Sequence, residues 1–358
     1  MRQATVYIDQ NALQYNLNRV KQLAPQAKIV SMVKANAYGH GVADCLDALS
    51  ATDAFGVACL EEALEIRELG FQQPITLIEG IFSAEEMPIV IHQNIEIIVH
   101  HQQQVDWLRA NKDAYIAKDL KVWVKLNSGM NRLGFKVPEI IDVINTLKAD
   151  GFNCVLAMHF ANADTDNHPL NEQQKKQFLH VKQACDPIMA SCCNSAAIFK
   201  WPELNFDFVR PGIMLYGASP FADKSVQELD LKPVMTFEAE IIALNTIQAG
   251  ESVGYGSHFV AEQEMQLAIV SIGYGDGYPR AFPKQNYVAI DGQLTRVIGR
   301  VAMDMIAIDV SDLNNAKIGT RVELWGNTRL VDDVAEANGT IGYELLCRLS
   351  NRPMRKQI

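Results

Sequence analysis

The sequence lacks several features that would place it in a specialised class of protein. Its apolar runs fall far short of the roughly 20 residues that a membrane-spanning helix needs. The opening segment MRQATVYIDQ has no apolar stretch typical of a signal peptide. No run of Lys or Arg occurs, and 42 acidic residues against 32 Lys and Arg give a formal net charge of −10. Because that average charge repels a polyanion, we expect neither nucleic acid nor a membrane as a partner.

Cysteine pairs with metal-binding or redox spacing are also missing. The seven cysteines include no CxxC motif, so we expect reduced thiols and a cytoplasmic location. Asp164, Asp166 and His168 have side chains that could bind a metal, but a polar loop explains them more simply. We therefore predict no metal site.

What the sequence does contain, through its first two thirds, is an alternation of short apolar segments with segments of helical period. The eight strand candidates are 29–33, 55–58, 75–78, 95–99, 122–126, 154–159, 188–192 and 206–209. Such alternation predicts a parallel sheet, and eight units in about 230 residues have the size of a (β/α)8 TIM-type barrel. Because periodicity cannot show closure, an open doubly wound sheet is the alternative.

The sequence after about residue 230 has a different pattern. It contains six strand candidates, at 234–247, 266–272, 287–290, 294–301, 306–310 and 321–325. Asp291-Gly292 between two of them is typical of a hairpin turn, and helical periods are rare before 331–337. We therefore predict an α/β barrel over residues 1–228 and a mainly-β domain over 229–358.

Reactive side chains follow several of the predicted barrel strands. Lys34 follows the first strand, Arg132 the fifth, His159 the sixth, Ser195 the seventh and Arg210 the eighth. Because the carboxyl ends of barrel strands meet at one face, these side chains should converge there. A partly desolvated lysine is suited to Schiff-base chemistry. Phosphate sites are common near the last two barrel strands, so the set fits pyridoxal phosphate (PLP).

Specific motifs carry a resemblance to a known family. The segment 33–41, VKANAYGHG, resembles the PLP-lysine signature of the alanine racemases. Further segments match that family in its order, among them GMNRLG at 129–134, VRPGIMLYG at 209–217, VGYG at 253–256, GYGDGYPR at 273–280 and GRVAMD at 299–304. The resemblance implies a (β/α)8 barrel followed by a β domain, and PLP as cofactor. It also implies a homodimer with shared active sites that interconverts L-alanine and D-alanine for peptidoglycan.

The resemblance also implies a role for each matching residue. Lys34 would hold PLP and act as one base, and Tyr255 of the partner subunit would be the second base on the opposite face. The residues matching cofactor contacts are Tyr38, His159, Asn194, Ser195, Arg210, Gly212, Ile213 and Tyr343. Those matching substrate contacts are Arg132, Met303 and Tyr274, and those matching supporting positions are Lys125, Arg280 and Asp304. Tyr274 and Met303, like Tyr255, would serve the other chain.

Two positions and three rival functions stay open at this stage. Asn127 stands where family members often have Asp, and Lys125 matches a lysine that many members carry as a carbamate, which a sequence cannot report. A racemase of broader specificity shares these motifs. A related PLP decarboxylase acting on basic amino acids shares the architecture, but its Cys-Glu-Ser-type motif is missing. A non-catalytic PLP carrier would lack the second domain.

Overall fold

A parallel sheet of eight strands is one of two large sheets in the computed structural model, which describes residues 4–282 and 284–358. The first three residues of the predicted barrel segment lie outside the described residues. After a first strand, β1 (Thr5–Ile8), the eight strands are β2 (Lys28–Met32), β3 (Ala54–Val57), β4 (Ile75–Leu77), β5 (Ile95–Val99), β6 (Lys121–Lys125), β7 (Asn153–Ala157), β8 (Met189–Ser191) and β9 (Phe208–Val209).

The strand order shows that this sheet is a nearly closed barrel. Consecutive strands pair from β2 through β8, and β9 returns to pair with β2. At the seam between β8 and β9, the Ser191 hydroxyl donates to the Phe208 carbonyl at 2.9 Å. The predicted TIM-type barrel is confirmed, and the open-sheet alternative is wrong because the last strand closes on the first.

Helices connect the barrel strands. They are α1 (Gln10–Leu23), α2 (Lys34–Tyr38), α3 (Val42–Cys45), α4 (Leu60–Glu68), α5 (Met87–His92), α6 (Gln102–Ala110), α7 (Lys112–Ile116), α8 (Val137–Ala149), α9 (Pro169–Ala184) and α10 (Ser195–Lys200). Asp9 caps α1 by accepting a hydrogen bond from the Ala12 N–H at 2.9 Å. Among the described residues, none of the helices has the length and apolarity to cross a bilayer.

The second large sheet is built mostly from the carboxyl-terminal part of the chain. The remaining strands are β10 (Met235–Ile247), β11 (Ser252–Val253), β12 (Phe259–Val260), β13 (Met265–Val270), β14 (Tyr287–Ile290), β15 (Gln293–Ile298), β16 (Ile306–Asp309), β17 (Arg321–Trp325) and β18 (Met354–Gln357). Two helices follow β17, namely α11 (Val331–Asn338) and α12 (Gly342–Cys347). The mainly-β domain is confirmed, and Asp291-Gly292 joins β14 and β15 as predicted.

The first strand of the chain belongs to this second sheet. β1 pairs antiparallel with β10 and parallel with β18, so both chain ends lie in the same sheet. The sequence analysis did not predict β1, β11, β12 or β18. The boundary between residues 228 and 229 stays a prediction, with the addition that Thr5–Ile8 extends the second sheet.

Apolar side chains fill the inside of the barrel. One buried cluster inside it includes Val30, Ile98, Trp123 and Phe208. The Trp123 indole N–H donates to the buried Glu96 carboxylate at 2.8 Å, so its polar atom is satisfied. Because this core occupies the barrel, a cavity must lie beyond it, where the strands end.

Candidate active site

Most of the predicted site residues line a single cavity of about 490 Å³ where the barrel strands end. It also adjoins helix α12 of the second part of the chain, through Tyr343 and Cys347. The predicted residues that line it are Lys34, Tyr38, Lys125, Arg132, His159, Asn194, Ser195, Arg210, Gly212, Ile213 and Tyr343. Tyr255, Tyr274, Arg280, Met303 and Asp304 are not among the lining residues of the described chain.

Helix α2, which begins at Lys34, is a single turn of left-handed backbone. Four consecutive residues, from Ala35 to Tyr38, have φ between 52° and 53°. For residues other than glycine this conformation costs roughly 1–2 kcal/mol each. The turn ends at Gly39, where a Cβ would come within 1.9 Å of the Leu346 carbonyl oxygen. The strained turn thus fits closely against α12, and it fixes where the chain leaves Lys34.

The imidazole of His40 supports this turn from inside the protein. Its Nδ1 lies 3.1 Å from the carbonyl oxygens of both Ala37 and Tyr38. Burial lowers the pKa of His40 to about 4. The ring is therefore neutral at pH 7, and its Nδ1–H can donate to those carbonyls.

Positive charge dominates the cavity. Lys34, Lys125, Arg132 and Arg210 all line it, and Glu62 is the single carboxylate among the described lining residues. Burial, followed by repulsion from Arg210, lowers the pKa of Lys125 to about 8. The same two causes hold the pKa of His159 well below its ordinary value, so its imidazole is neutral at pH 7. The arrangement favours an anionic ligand.

The Arg210 guanidinium is held rigidly in the barrel wall. Its side chain is 8% exposed, and it donates to the Ser191 hydroxyl and to the Met158 carbonyl, both at 2.5 Å. One guanidinium nitrogen bonds at the end of β8, and another bonds just after the end of β7. Arg210 also lines the cavity, and a guanidinium has five N–H donors, so donors remain for a ligand.

Hydroxyl groups gather at another side of the cavity. The Ser195 hydroxyl accepts a hydrogen bond from the Gly212 N–H at 2.9 Å. A Cβ on Gly212 would come within 2.4 Å of the Tyr38 hydroxyl oxygen, so any larger residue there would displace that hydroxyl. The rings of Tyr38 and Tyr343 lie 6.1 Å apart. Burial raises the pKa of both phenols, which stay neutral hydrogen-bond donors.

The loop that carries Arg132 is organised by Asn127. The Asn127 side-chain oxygen accepts from the backbone N–H groups of Gly129 and Asn131, at 3.2 and 3.0 Å. The amide thus fulfils a turn-forming role that a carboxylate oxygen could also perform. Asn194 acts similarly at the start of α10, where its oxygen accepts from the Ala197 N–H at 3.1 Å.

Four of the predicted residues of the β domain are exposed. Tyr255 is 73% exposed, Met303 53% and Tyr274 41%, and Arg280 is also exposed. Arg352 connects the loops that carry Tyr274 and Met303, because it pairs with Asp276 at 3.3 Å and with Asp304 at 2.7 Å. These four side chains are therefore exposed to solvent, and none of them lines the cavity of its own chain.

The structure adds residues that the sequence analysis missed. Glu62 lines the cavity and accepts hydrogen bonds from two backbone N–H groups, and Cys347 lines it from α12. An acidic residue in the first turn of a helix is common, so the position of Glu62 carried no distinctive signal. Two of the three residues considered as metal ligands have other roles in the structure. Asp166 pairs with Lys200, and His168 caps α9. No cluster of three or more potential metal ligands was found in the described residues.

The fold defines a class of protein that joins a TIM-type barrel, with a lysine just beyond its first strand, to a mainly-β domain. Two family models match the chain, described as the alanine racemase N-terminal domain over residues 8–220 and the alanine racemase C-terminal domain over residues 234–357. An alanine racemase from Psychrobacter sp. is 48% identical, with 99% of this chain and 100% of the relative covered. The chain belongs to the alanine racemase family and is an isomerase.

Solved structures agree with this assignment. The structure of alanine racemase from Acinetobacter baumannii is 77% identical, has a TM-score of 0.99 and covers 100% of both chains. An alanine racemase from Bartonella henselae with covalently bound pyridoxal phosphate is 28% identical, has a TM-score of 0.89 and covers 100% of both chains. The confirmed resemblance does not itself test the roles of individual residues, which stay predictions.

Proposed function

We propose that this protein interconverts L-alanine and D-alanine with PLP held at Lys34, and that it supplies D-alanine for peptidoglycan in the cytoplasm. One observation carries the proposal. A lysine, two arginines, a neutral histidine and a group of hydroxyls from separate strands line one cavity. The names of the relatives support alanine as the substrate.

The residues present fit PLP. Four cationic side chains against one carboxylate suit a phosphorylated ligand. The glycine at 212 lets the Tyr38 hydroxyl approach the backbone at the cavity wall, since a Cβ there would come within 2.4 Å of that oxygen. Ser195, Gly212, Ile213, Tyr38 and Tyr343 would hold the phosphate, and Arg210 would face the pyridine nitrogen. When bound, PLP supplies an electron sink that acidifies the α-hydrogen of an attached amino acid.

Arg132 would bind the substrate carboxylate, with Lys125 in a supporting position beside it. A guanidinium offers a planar pair of donors that matches a carboxylate, which fixes the orientation of the amino acid. Lys125 lies in the same cavity, and its pKa of about 8 leaves part of its amine neutral near pH 7 to 8. Asn127 shapes the Arg132 loop as described above, so the departure from Asp keeps that loop intact.

Racemisation requires two groups that move a proton at opposite faces of the α-carbon. Lys34 is the only one of the two predicted bases that lines the cavity of its own chain. Tyr255 is 73% exposed on the β domain, and we assign it to the cavity of a second copy. A homodimer would then place Tyr255, Tyr274 and Met303 against Lys34 of the other chain. Since His159 is neutral, Arg210 and Arg280 would supply the positive charge that favours the tyrosinate.

The test is a direct assay of stereochemistry. Purified protein saturated with PLP should convert L-alanine to a racemic mixture, measured by chiral chromatography, with deuterium from D2O entering the α-position. It should release no carbon dioxide from lysine. Faster racemisation of lysine or arginine than of alanine would favour the broad-specificity alternative, and release of carbon dioxide would favour the decarboxylase. Rescue of a bacterial strain that requires D-alanine would support the role in peptidoglycan supply.

A further inference from the structure

The carboxylate of Glu62 bridges the ends of two neighbouring barrel strands at the cavity. Its Oε1 accepts from the Ala35 N–H at 2.7 Å, and its Oε2 accepts from the Ala58 N–H at 2.8 Å. Ala35 directly follows Lys34 after β2, and Ala58 directly follows β3. The two strands pair in parallel, and their ladder ends with the Val33 N–H donating to the Gly56 carbonyl at 2.9 Å. Glu62 therefore connects the two strands just beyond their last backbone hydrogen bond.

The left-handed turn explains why a side chain is needed at this point. Ala35 begins the left-handed turn, with φ 53° and ψ 49°, and its N–H bonds to the Glu62 carboxylate instead of to a neighbouring strand. A backbone N–H beside a partly buried cavity needs a partner. Glu62 supplies one from the first turn of α4, while His40 contacts the carbonyls at the far end of the same turn.

The two hydrogen bonds decide which kind of role Glu62 can have. Although it is the single carboxylate among the described residues that line the cavity, each of its oxygens is engaged by a backbone N–H. It is therefore poorly placed to act on a substrate, and well placed to fix the backbone on the carboxyl side of Lys34. We infer that Glu62 is a positioning residue, which orients Lys34 for attachment of PLP by bridging Ala35 and Ala58. This inference rests on the proposed function.

The experiment compares three substitutions at two adjacent glutamates. Glu62→Gln keeps the shape of the side chain, but its amide NH2 would face one of the two N–H donors. Glu62→Asp keeps the charge, but it is one methylene shorter and cannot span both donors. Glu61→Gln is the matched control, because Glu61 precedes Glu62 in the same helical turn and is exposed. For each protein, the cofactor-free form is titrated with PLP, and the visible absorbance of lysine-bound PLP is followed.

We expect both substitutions at Glu62 to weaken PLP binding by about tenfold or more, as the loss of a charge-assisted hydrogen bond implies. Attachment to Lys34, measured by borohydride trapping and peptide mass, should slow in parallel. Glu61→Gln should match the unsubstituted protein. The midpoint of thermal unfolding without PLP should change by no more than a few degrees, which separates local positioning from loss of fold.

Three outcomes would overturn the inference. If Glu62→Gln binds PLP as the unsubstituted protein does, the bridge has no role in positioning Lys34. If Glu62→Asp restores wild-type binding while Glu62→Gln does not, negative charge alone explains the residue. If the unsubstituted protein carries PLP on a lysine other than Lys34, or carries none, the proposed function fails, and this inference fails with it.

Discussion

The two parts of the molecule present their functional side chains in opposite ways. In the barrel, Arg210 is 8% exposed and Ser195 4%, and both have hydrogen-bond partners within the chain. On the β domain, Tyr255 and Met303 are 73% and 53% exposed. A buried charge must be satisfied by its own chain, whereas an exposed phenol or thioether gains a fixed environment only from another surface. The barrel residues are thus held in place within one chain, whereas the β-domain residues are left exposed.

The difference teaches where each kind of substitution should act. Changes in the barrel should alter cofactor binding in a single chain. Changes at the exposed residues of the β domain should alter turnover while leaving PLP affinity intact, and their effects should depend on the second copy. The predictions below use that contrast.

Lys34→Ala should have the largest effect, because it removes the predicted cofactor attachment and one base together. We expect activity to fall by about a thousandfold or more, with loss of the visible absorbance of lysine-bound PLP. Lys28→Ala is the matched control, since Lys28 lies exposed at the opposite end of the same strand. Borohydride labelling of a different lysine in the unsubstituted protein would contradict the assignment.

Tyr255→Phe tests the exposed residues of the β domain. It keeps the ring and removes the titrating oxygen, so racemisation should fall by about 100-fold or more while PLP affinity stays unchanged. Mixed with Lys34→Ala subunits, it should regain about a quarter of wild-type activity, because half of the random dimers carry one intact site of two. No recovery after verified subunit exchange would show that Tyr255 acts within its own chain or is not a base.

Arg352→Ala should act on the same domain more weakly. It removes the ion pairs to Asp276 and Asp304 that connect the Tyr274 and Met303 loops. We expect the KM for alanine to rise by about tenfold, as the loss of one charge-assisted bond suggests, with PLP affinity unchanged. Arg296→Ala removes a comparable pair, to Asp309 at 2.9 Å, and should leave KM unaltered. If Arg352→Ala also lost PLP affinity, the expected difference between the barrel and the β domain would be contradicted.

Sequence patterns predicted which barrel side chains would lie together, because strand ends are a local property. Lys34, Arg132, His159, Ser195 and Arg210 each follow an apolar segment, and parallel closure alone brings them together. The left-handed turn after Lys34 carries no such pattern. Its residues Ala35, Asn36 and Ala37 have no preference for positive φ strong enough to reveal it, and tertiary contacts impose it.

Pairing across long separations was also beyond local patterns. β1 is four residues long, and its partners β10 and β18 lie more than 220 residues further along the chain. Glu62 was missed for the same reason, because its partner Ala35 belongs to another strand end. The assignment of Tyr255 to a second copy rests on the family resemblance. The structure of one chain contributes the observation that the Tyr255 side chain is exposed.

The smallest effect is expected at Asp332, where the two parts of the molecule meet. Its carboxylate accepts from the Ser219 N–H at 2.9 Å, and burial raises its pKa to about 6, from an ordinary value of 3.8. The folded protein therefore holds this proton more tightly than the unfolded chain does. The free energy of unfolding should fall as pH rises from about 4 to about 6 and stay lowered above that. Asp332→Asn keeps an oxygen for Ser219 and removes the charge, so above pH 6 it should stabilise the protein by about 1–2 kcal/mol, after allowance for partial solvent screening. Denaturant unfolding at pH 4, 6 and 8 with saturating PLP measures this, and the gain should disappear near pH 4.

The control is Asp333→Asn at the adjacent residue. It removes a half-exposed ion pair with Arg329 and should not stabilise the protein at any of these pH values. A gain of equal size at pH 4 and pH 8 would mean that the buried charge is not its cause.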